Sequence, residues 1–181
     1  MVEVEINGGL FNIRNKKNDI TINQMVKCED ILSDDNVNEL DKYINIIQQL
    51  SDLSIEEIED LPIPKLKEVI GIINFEDIND VDLDFTNNFT IDGVKYVNRN
   101  EDINDIKLSV KEIYTIKDYF NNNDNKISVG EIAGVIFREE VGGVISRDFS
   151  VYKIKERAVI FGDLTLDIIL PYVLNIKKHI S

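Results

Sequence analysis

At 181 residues, 43% hydrophobic and 30% charged, the chain holds enough apolar material for one ordinary core or two small half-domains packed together. A formal charge of −14 argues against DNA and anionic membrane surfaces as partners, and no apolar run approaches the ~18–20 residues that span a bilayer. The single cysteine, Cys28, predicts no internal disulfide, and the start Met1-Val2-Glu3-Val4-Glu5 lacks the basic and apolar regions of a secretory signal.

In chain order, an Ile6-Asn7-Gly8 turn between short β-prone runs predicts a hairpin over residues 3–13, because an Asn-Gly pair supplies the positive φ that a tight turn needs. Thr21 followed by Gln24 is a capping box, opening a helix to about Leu32. Residues 33–36 break that helix and are expected to cap the next. Val37, Leu40, Ile44, Ile47 and Leu50 then recur at helical spacing as one apolar stripe. Ser54 and Glu57 form another capping box, for a short helix carrying Ile58 and Leu61. Pro62 and Pro64 end it, and Pro64 suits the first turn of a following helix that buries Leu66, Val69, Ile70 and Ile73. Residues 76–82 read as a polar, acidic linker.

A second Ile91-Asp92-Gly93 turn predicts a hairpin over 88–98, and Ser109 with Glu112 caps a helix to about Phe120. After an Asn-rich loop, Ser128 and Glu131 read as a fourth capping box, for a helix with Ile132, Ala133, Ile136 and Phe137 on its apolar side and Gly142-Gly143 as its stop. Residues 144–150 look irregular. A helix from about Val151 to Phe161 should end at Gly162. The apolar segment from Asp163 to about His179 should be kinked or split by Pro171, and it serves either as a core helix or as a docking element.

The fold class expected is therefore α+β and predominantly helical, with two short β-hairpins each followed by a capped helix. Residues 1–82 form a hairpin plus acidic helical half and residues 83–181 a second hairpin plus helical half, expected as one compact unit. The shared plan fits an internal duplication; two ordinary hairpin–helix junctions would give the same pattern.

The charge is uneven: residues 29–85 hold 17 acidic against 3 basic side chains, the whole imbalance. Such a segment serves either as a solvated face or as a docking surface for a basic partner. Its densest cluster is Glu56, Glu57, Glu59 and Asp60, the first place to look for an interaction site. A weak calcium-loop candidate places Asn122, Asp124 and Glu131 at ligand positions, but Phe120 stands where the first oxygen ligand is required. Glu131 as a helix cap is the simpler reading. His179, the only histidine, suits the last turn of a helix, and Cys28 has no other histidine to pair with. Lys153, Lys155 and Arg157 read as helix solubility rather than a nucleic-acid site. No phosphate loop and no zinc cluster is present, so the chain is expected to be no enzyme and to need no cofactor.

The order of elements carries one resemblance. An Ile-Asn-Gly hairpin is followed by Asp19-Ile20-Thr21-Ile22-Asn23-Gln24-Met25 and an acidic helical stretch with Leu61-Pro62. Residues 89–96 (FTIDGVKY), the helix opened by Ser109, and residues 131–140 (EIAGVIFREE) follow. This resembles the small acidic, mostly helical tail assembly chaperones and related morphogenesis proteins of tailed bacteriophages, in order and spacing across most of the chain. The resemblance implies a non-enzymatic protein that binds other phage structural or assembly proteins, with no nucleic acid or membrane partner, in the cytoplasm of the infected host or in the virion, and able to form an oligomer. The alternatives are a permanent virion component (neck, tail hub or capsid accessory protein) and, from another class, a divalent-metal-binding module or small enzyme.

Overall fold

A computed structural model describes residues 1–6, 8–73, 86–99, 107–121 and 128–180. The protein is α+β and mostly helical, with eight helices and two small antiparallel sheets among the described residues. The chain divides into two compact units, Met1–Asp82 and Leu83–Ser181.

In the first unit, β1 (Val2–Ile6) and β2 (Gly9–Ile13) pair antiparallel, with Val4 opposite Phe11 and Ile6 opposite Gly9. Strand period 2 sets Val4 and Ile6 inward and Glu3 and Glu5 outward, so the run is legible as a one-sided strand. The turn uses Gly8 at φ 82°, where a Cβ would be strained. α1 (Ile22–Ser33) opens on the Thr21–Gln24 capping box, whose reciprocal bonds measure 3.2 and 3.0 Å. α2 (Glu39–Leu50) is capped by Asn38, which accepts from the Asp41 amide at 3.0 Å. The cap expected within residues 33–36 is thus displaced, and Val37 precedes the helix. The buried stripe is Ile46, Ile47 and Leu50, while Leu40 is exposed. α3 (Ile55–Glu59) and α4 (Ile63–Ile72) follow, with Pro64 in the first turn of α4 as its missing N–H allows. Leu66, Val69 and Ile73 are buried from this helix; Ile70 is half-buried. β2 is tied to the chain after α2: the Arg14 amide donates to Leu50 O at 2.7 Å, and Asp52 accepts from the Asn12 amide and side chain at 2.9 and 3.1 Å.

The second unit carries a four-stranded antiparallel sheet in the order β3 (Asn88–Ile91), β4 (Val94–Asn98), β5 (Phe137–Val141), β6 (Val144–Ile145). Two two-residue turns close its hairpins, Asp92-Gly93 and Gly142-Gly143, all four residues at positive φ. α5 (Val110–Asn121) and α6 (Val129–Ile136) lie between β4 and β5; α7 (Val151–Phe161) and α8 (Leu166–Ile180) follow the sheet. Alternation gives the sheet two different faces. Phe89, Tyr96 and Phe137 meet Phe161 of α7 and Tyr172 of α8, ring centroids 4.9–5.7 Å apart. Lys95, Val97, Arg138 and Glu140 take the opposite register positions, with Lys95 opposite Glu140 and Val97 opposite Arg138.

Several expectations are corrected here. The helix expected to reach Gly142 ends at Ile136, and Phe137 starts β5. The Gly142-Gly143 pair is a hairpin turn, and Val144–Ile145 is a strand rather than irregular chain. α6 is buried at every position but the half-buried Glu131, because Gly130 and Gly134 let α7 approach: a Cβ on Gly134 would stand 2.7 Å from Ile154 O, and one on Gly130 3.3 Å from the Ala158 Cβ. Ser128 makes no side-chain bond to the N-terminal amides of α6, so the fourth capping box does not form. Pro171 does not split α8; the helix runs through it, burying Leu166, Ile169, Tyr172, Val173 and Ile176. Burial of that face outweighs the loss of one backbone hydrogen bond. The acidic linker over residues 76–82 lies outside the described residues, as does Asn7.

Candidate functional site

Two surface recesses of opposite electrostatic character stand out, one in each unit. In the first unit, α3 holds Glu56, Glu57 and Glu59, with Asp60 at its C-terminal cap, all four exposed. Glu57 is already engaged. Its carboxylate accepts from the Ser54 amide and hydroxyl, both at 2.8 Å, and these bonds hold its pKa below the usual carboxyl value. Glu57 and Asp60 also stand at the edge of a cavity of about 250 Å³ that the hairpin completes with Ile6, Gly9 and Phe11. Glu56 and Glu59 do not line it. The hairpin residues were missed as site residues in the sequence, because nothing local to residues 3–13 reports what α3 packs beside. Chemically, the recess has a hydrocarbon floor with two carboxylates at its lip. It fits the long apolar stem and cationic head of a lysine or arginine, which bury the one and solvate or pair the other.

In the second unit, α5 brings Glu112 to Arg138 of β5 and to Arg99, the residue after β4. Arg138, fully buried, donates from Nε to Val135 O at 3.1 Å and from Nη2 to Glu112 Oε1. Arg99 Nη1 donates to the same Oε1 at 2.8 Å, its backbone held by a 3.2 Å bond from the Arg99 amide to Ile136 O. The other Glu112 oxygen accepts from the Ser109 amide at 2.6 Å, which completes the expected cap of α5. Burial pushes the Glu112 carboxyl up, but the Ser109 bonds and the two guanidiniums outweigh it and hold the pKa below the ordinary value. Burial presses the Arg138 pKa down, with Glu112 acting against it. Arg138 Nη1 is buried without a hydrogen-bond partner, and the Phe149 ring lies 5.0 Å from the guanidinium carbon. Beside this cluster a cavity of about 420 Å³ is lined by Arg99, Lys107, Gly143, Val144, Ile145 and Arg147.

Arg157, expected on a solvated helix face, is fully buried. It clasps Glu139 through Nε and Nη2 at 3.1 and 2.6 Å and donates from Nη1 to Gly134 O at 3.2 Å. Burial pushes the Glu139 carboxyl up, and the Arg157 bonds bring it net below the usual value. The close approach of α6 and α7 removes this arginine from water; its place at i+3 from Ile154 and four before Phe161, on the stripe that α7 buries, was the signal in the sequence.

The other candidates stay apart. Glu131 sits half-buried in the first turn of α6, while Asn122 and Asp124 lie outside the described residues. Among the described residues no group of three His, Cys, Asp or Glu side chains could hold a metal ion. Cys28 is buried in α1, and burial pushes its thiol up to about 12. His179 lies exposed in the last turn of α8, its Nδ1 2.9 Å from Asn175 O. Among the described residues, no helix is long and apolar enough to cross a membrane. The chain matches no protein-family model, no characterised protein and no solved structure.

Proposed function

We propose that this chain is a non-enzymatic assembly protein that binds other phage proteins during tail or virion morphogenesis, in the manner of a tail assembly chaperone. The phage setting comes from the resemblance in order and spacing of elements. The observation that carries the binding role is the recess of the first unit, where Glu57 and Asp60 edge a floor of Ile6 and Phe11. Glu56 and Glu59 extend the same exposed negative surface along α3. This is the chemistry that takes up a basic, partly apolar segment of a partner and keeps its cationic side chains paired until assembly.

The test is co-expression of the tagged full chain with the late gene products of its phage, followed by pull-down. The wild type is compared with a Glu56→Lys/Glu59→Lys/Asp60→Lys variant, which leaves the Ser54–Glu57 cap intact. Capture of a specific late protein by the wild type, lost in the variant, supports the reading; equal capture by both places binding elsewhere and refutes it. Mass spectrometry of purified particles separates the two fates: absence from virions fits a chaperone, and stoichiometric copies make the chain a permanent virion component.

A further inference from the structure

The cavity on the sheet of the second unit has no part in that proposal, and its chemistry is the reverse. The geometry points to an oxyanion-binding site of phosphate type, in which Arg99 and Arg147 grip the anionic group and Val144 and Ile145 contact the organic body attached to it.

Three observations converge. The first is the lining: among the described residues Arg99, Lys107 and Arg147 all face one recess of about 420 Å³ and no carboxylate does, although the chain as a whole carries −14. The second is incomplete neutralisation behind the wall. Arg99 and Arg138 share one oxygen of Glu112, so one carboxylate serves two guanidiniums, and Arg138 Nη1 is left buried with no acceptor. A buried guanidinium with an unmet N–H costs stability, and an added anion at the neighbouring Arg99 would offset part of that cost through the field. The third is shape. Gly143, at φ 80°, leaves open space where a side chain would stand, so a ligand can approach the turn backbone closely. Val144 and Ile145 complete an apolar side.

Guanidinium forks match the paired oxygens of phosphate, and two of them from different elements fix its orientation. The volume exceeds that of a bare phosphate, and the valine and isoleucine offer surface that inorganic phosphate would leave unused. The ligand class that fits is a small organic phosphate rather than a polyanion, because the net charge of the chain repels a long phosphodiester backbone.

The experiment titrates the full chain with 1-naphthyl phosphate, inorganic pyrophosphate and duplex DNA at matched ionic strength, read by calorimetry. Binding of 1-naphthyl phosphate at millimolar or lower dissociation constant, tighter than pyrophosphate, is the expected result. Arg147→Ala, at an exposed position, lowers that affinity by about tenfold, the loss expected for one charge-assisted hydrogen bond. Lys67→Ala, exposed on α4 of the other unit, leaves it unchanged. Equal loss in both variants marks non-specific charge attraction and overturns the site, as does DNA binding tighter than the aryl phosphate. No heat with either phosphate also overturns it. Arg147→Lys, which keeps the charge but not the fork, gives an intermediate affinity if the fork is used; affinity equal to wild type refutes the orienting role.

Discussion

Replacing Glu112 with glutamine tests the central electrostatic claim about the second unit. The carboxylate is fully buried and receives Arg138, Arg99 and the Ser109 amide. Glutamine preserves volume but removes the charge, leaving the fully buried Arg138 guanidinium with Val135 O and half of an amide acceptor. Breaking a buried pair from one side costs about 3–5 kcal/mol, because the surviving charge is left uncompensated. Two effects act against this: Arg99 is partly exposed and can turn to water, and the glutamine oxygen recovers about 1 kcal/mol from one guanidinium. The expected loss is therefore about 3 kcal/mol, which at a slope of about 1.5 kcal/mol/M moves the urea midpoint by about 2 M. Near-UV circular dichroism is the probe, since five of the six tyrosines lie in the second unit and Tyr43 alone in the first. The pH dependence carries its own sign. The folded pKa of Glu112 is lowered, so its stabilisation is present above the unfolded value near 4.5 and is lost as pH falls through the folded one. Wild type should lose stability in acid, and Glu112→Gln should show a flatter curve, with Glu139 adding slope in the same direction. A Glu112→Met/Arg138→Met double variant should be more stable than Glu112→Gln, since it removes both charges. A midpoint shift below about 0.5 M for Glu112→Gln refutes the reasoning: the guanidiniums would then be solvated rather than neutralised by this carboxylate.

Four further expectations follow from the packing and the caps. Gly134→Ala should cost about 1–3 kcal/mol in thermal or urea unfolding, since its Cβ would press on Ile154 O at 2.7 Å. Gly71→Ala, at an exposed position of α4 with open space around it, should instead add about 0.5–1 kcal/mol. Cys28 should resist iodoacetamide in the native protein at pH 8 and label fully in denaturant; rapid native labelling would mean that α1 opens readily. Thr21→Ala should cost the first unit about 1 kcal/mol by removing one half of the α1 capping box, read as faster amide exchange in that helix.

The parts of the fold legible in the sequence are those fixed by neighbours within a few residues. Capping boxes at Thr21, Ser54 and Ser109 and positive-φ turns at Gly8 and Gly93 are local chemistry, and each forms as read. What the sequence hid is what depends on distant chain. The run from Ile132 to Glu140 reads as one amphipathic helix, yet it breaks at Phe137 because Arg138 and Glu139 pair across to Val97 and Tyr96 of β4. The Val141-Gly142-Gly143-Val144 stretch was the available signal: a double glycine between β-branched residues suits a hairpin turn as well as a helix stop. The sharing of Glu112 by Arg99 and Arg138 joins residues 13 and 26 positions away from it in sequence, beyond any periodicity argument. Likewise, the cluster from Glu56 to Asp60 was visible as charge, but its hydrocarbon floor comes from residues 6–11.

The two recesses make a joint prediction sharper than either alone, because their charges are opposite and their lining residues do not overlap. Salt weakens both kinds of binding, so sensitivity to ionic strength cannot tell them apart. Charge-selective variants can. Glu56→Lys/Glu59→Lys/Asp60→Lys should abolish retention of a lysine- and arginine-rich peptide on the immobilised full chain and leave the affinity for 1-naphthyl phosphate within about twofold of wild type, as for an exposed surface change away from a site. Arg147→Ala should do the reverse. If either variant lowered both affinities together, the substitution would have disturbed the fold, because a net-charge effect moves a cationic peptide and an anionic phosphate in opposite directions. The signs separate the cases further. Lysine substitutions on α3 make the chain less negative, so a field effect would strengthen phosphate binding while weakening the peptide, and Arg147→Ala would move both the other way. Recess binding requires instead that each variant change one ligand and leave the other still.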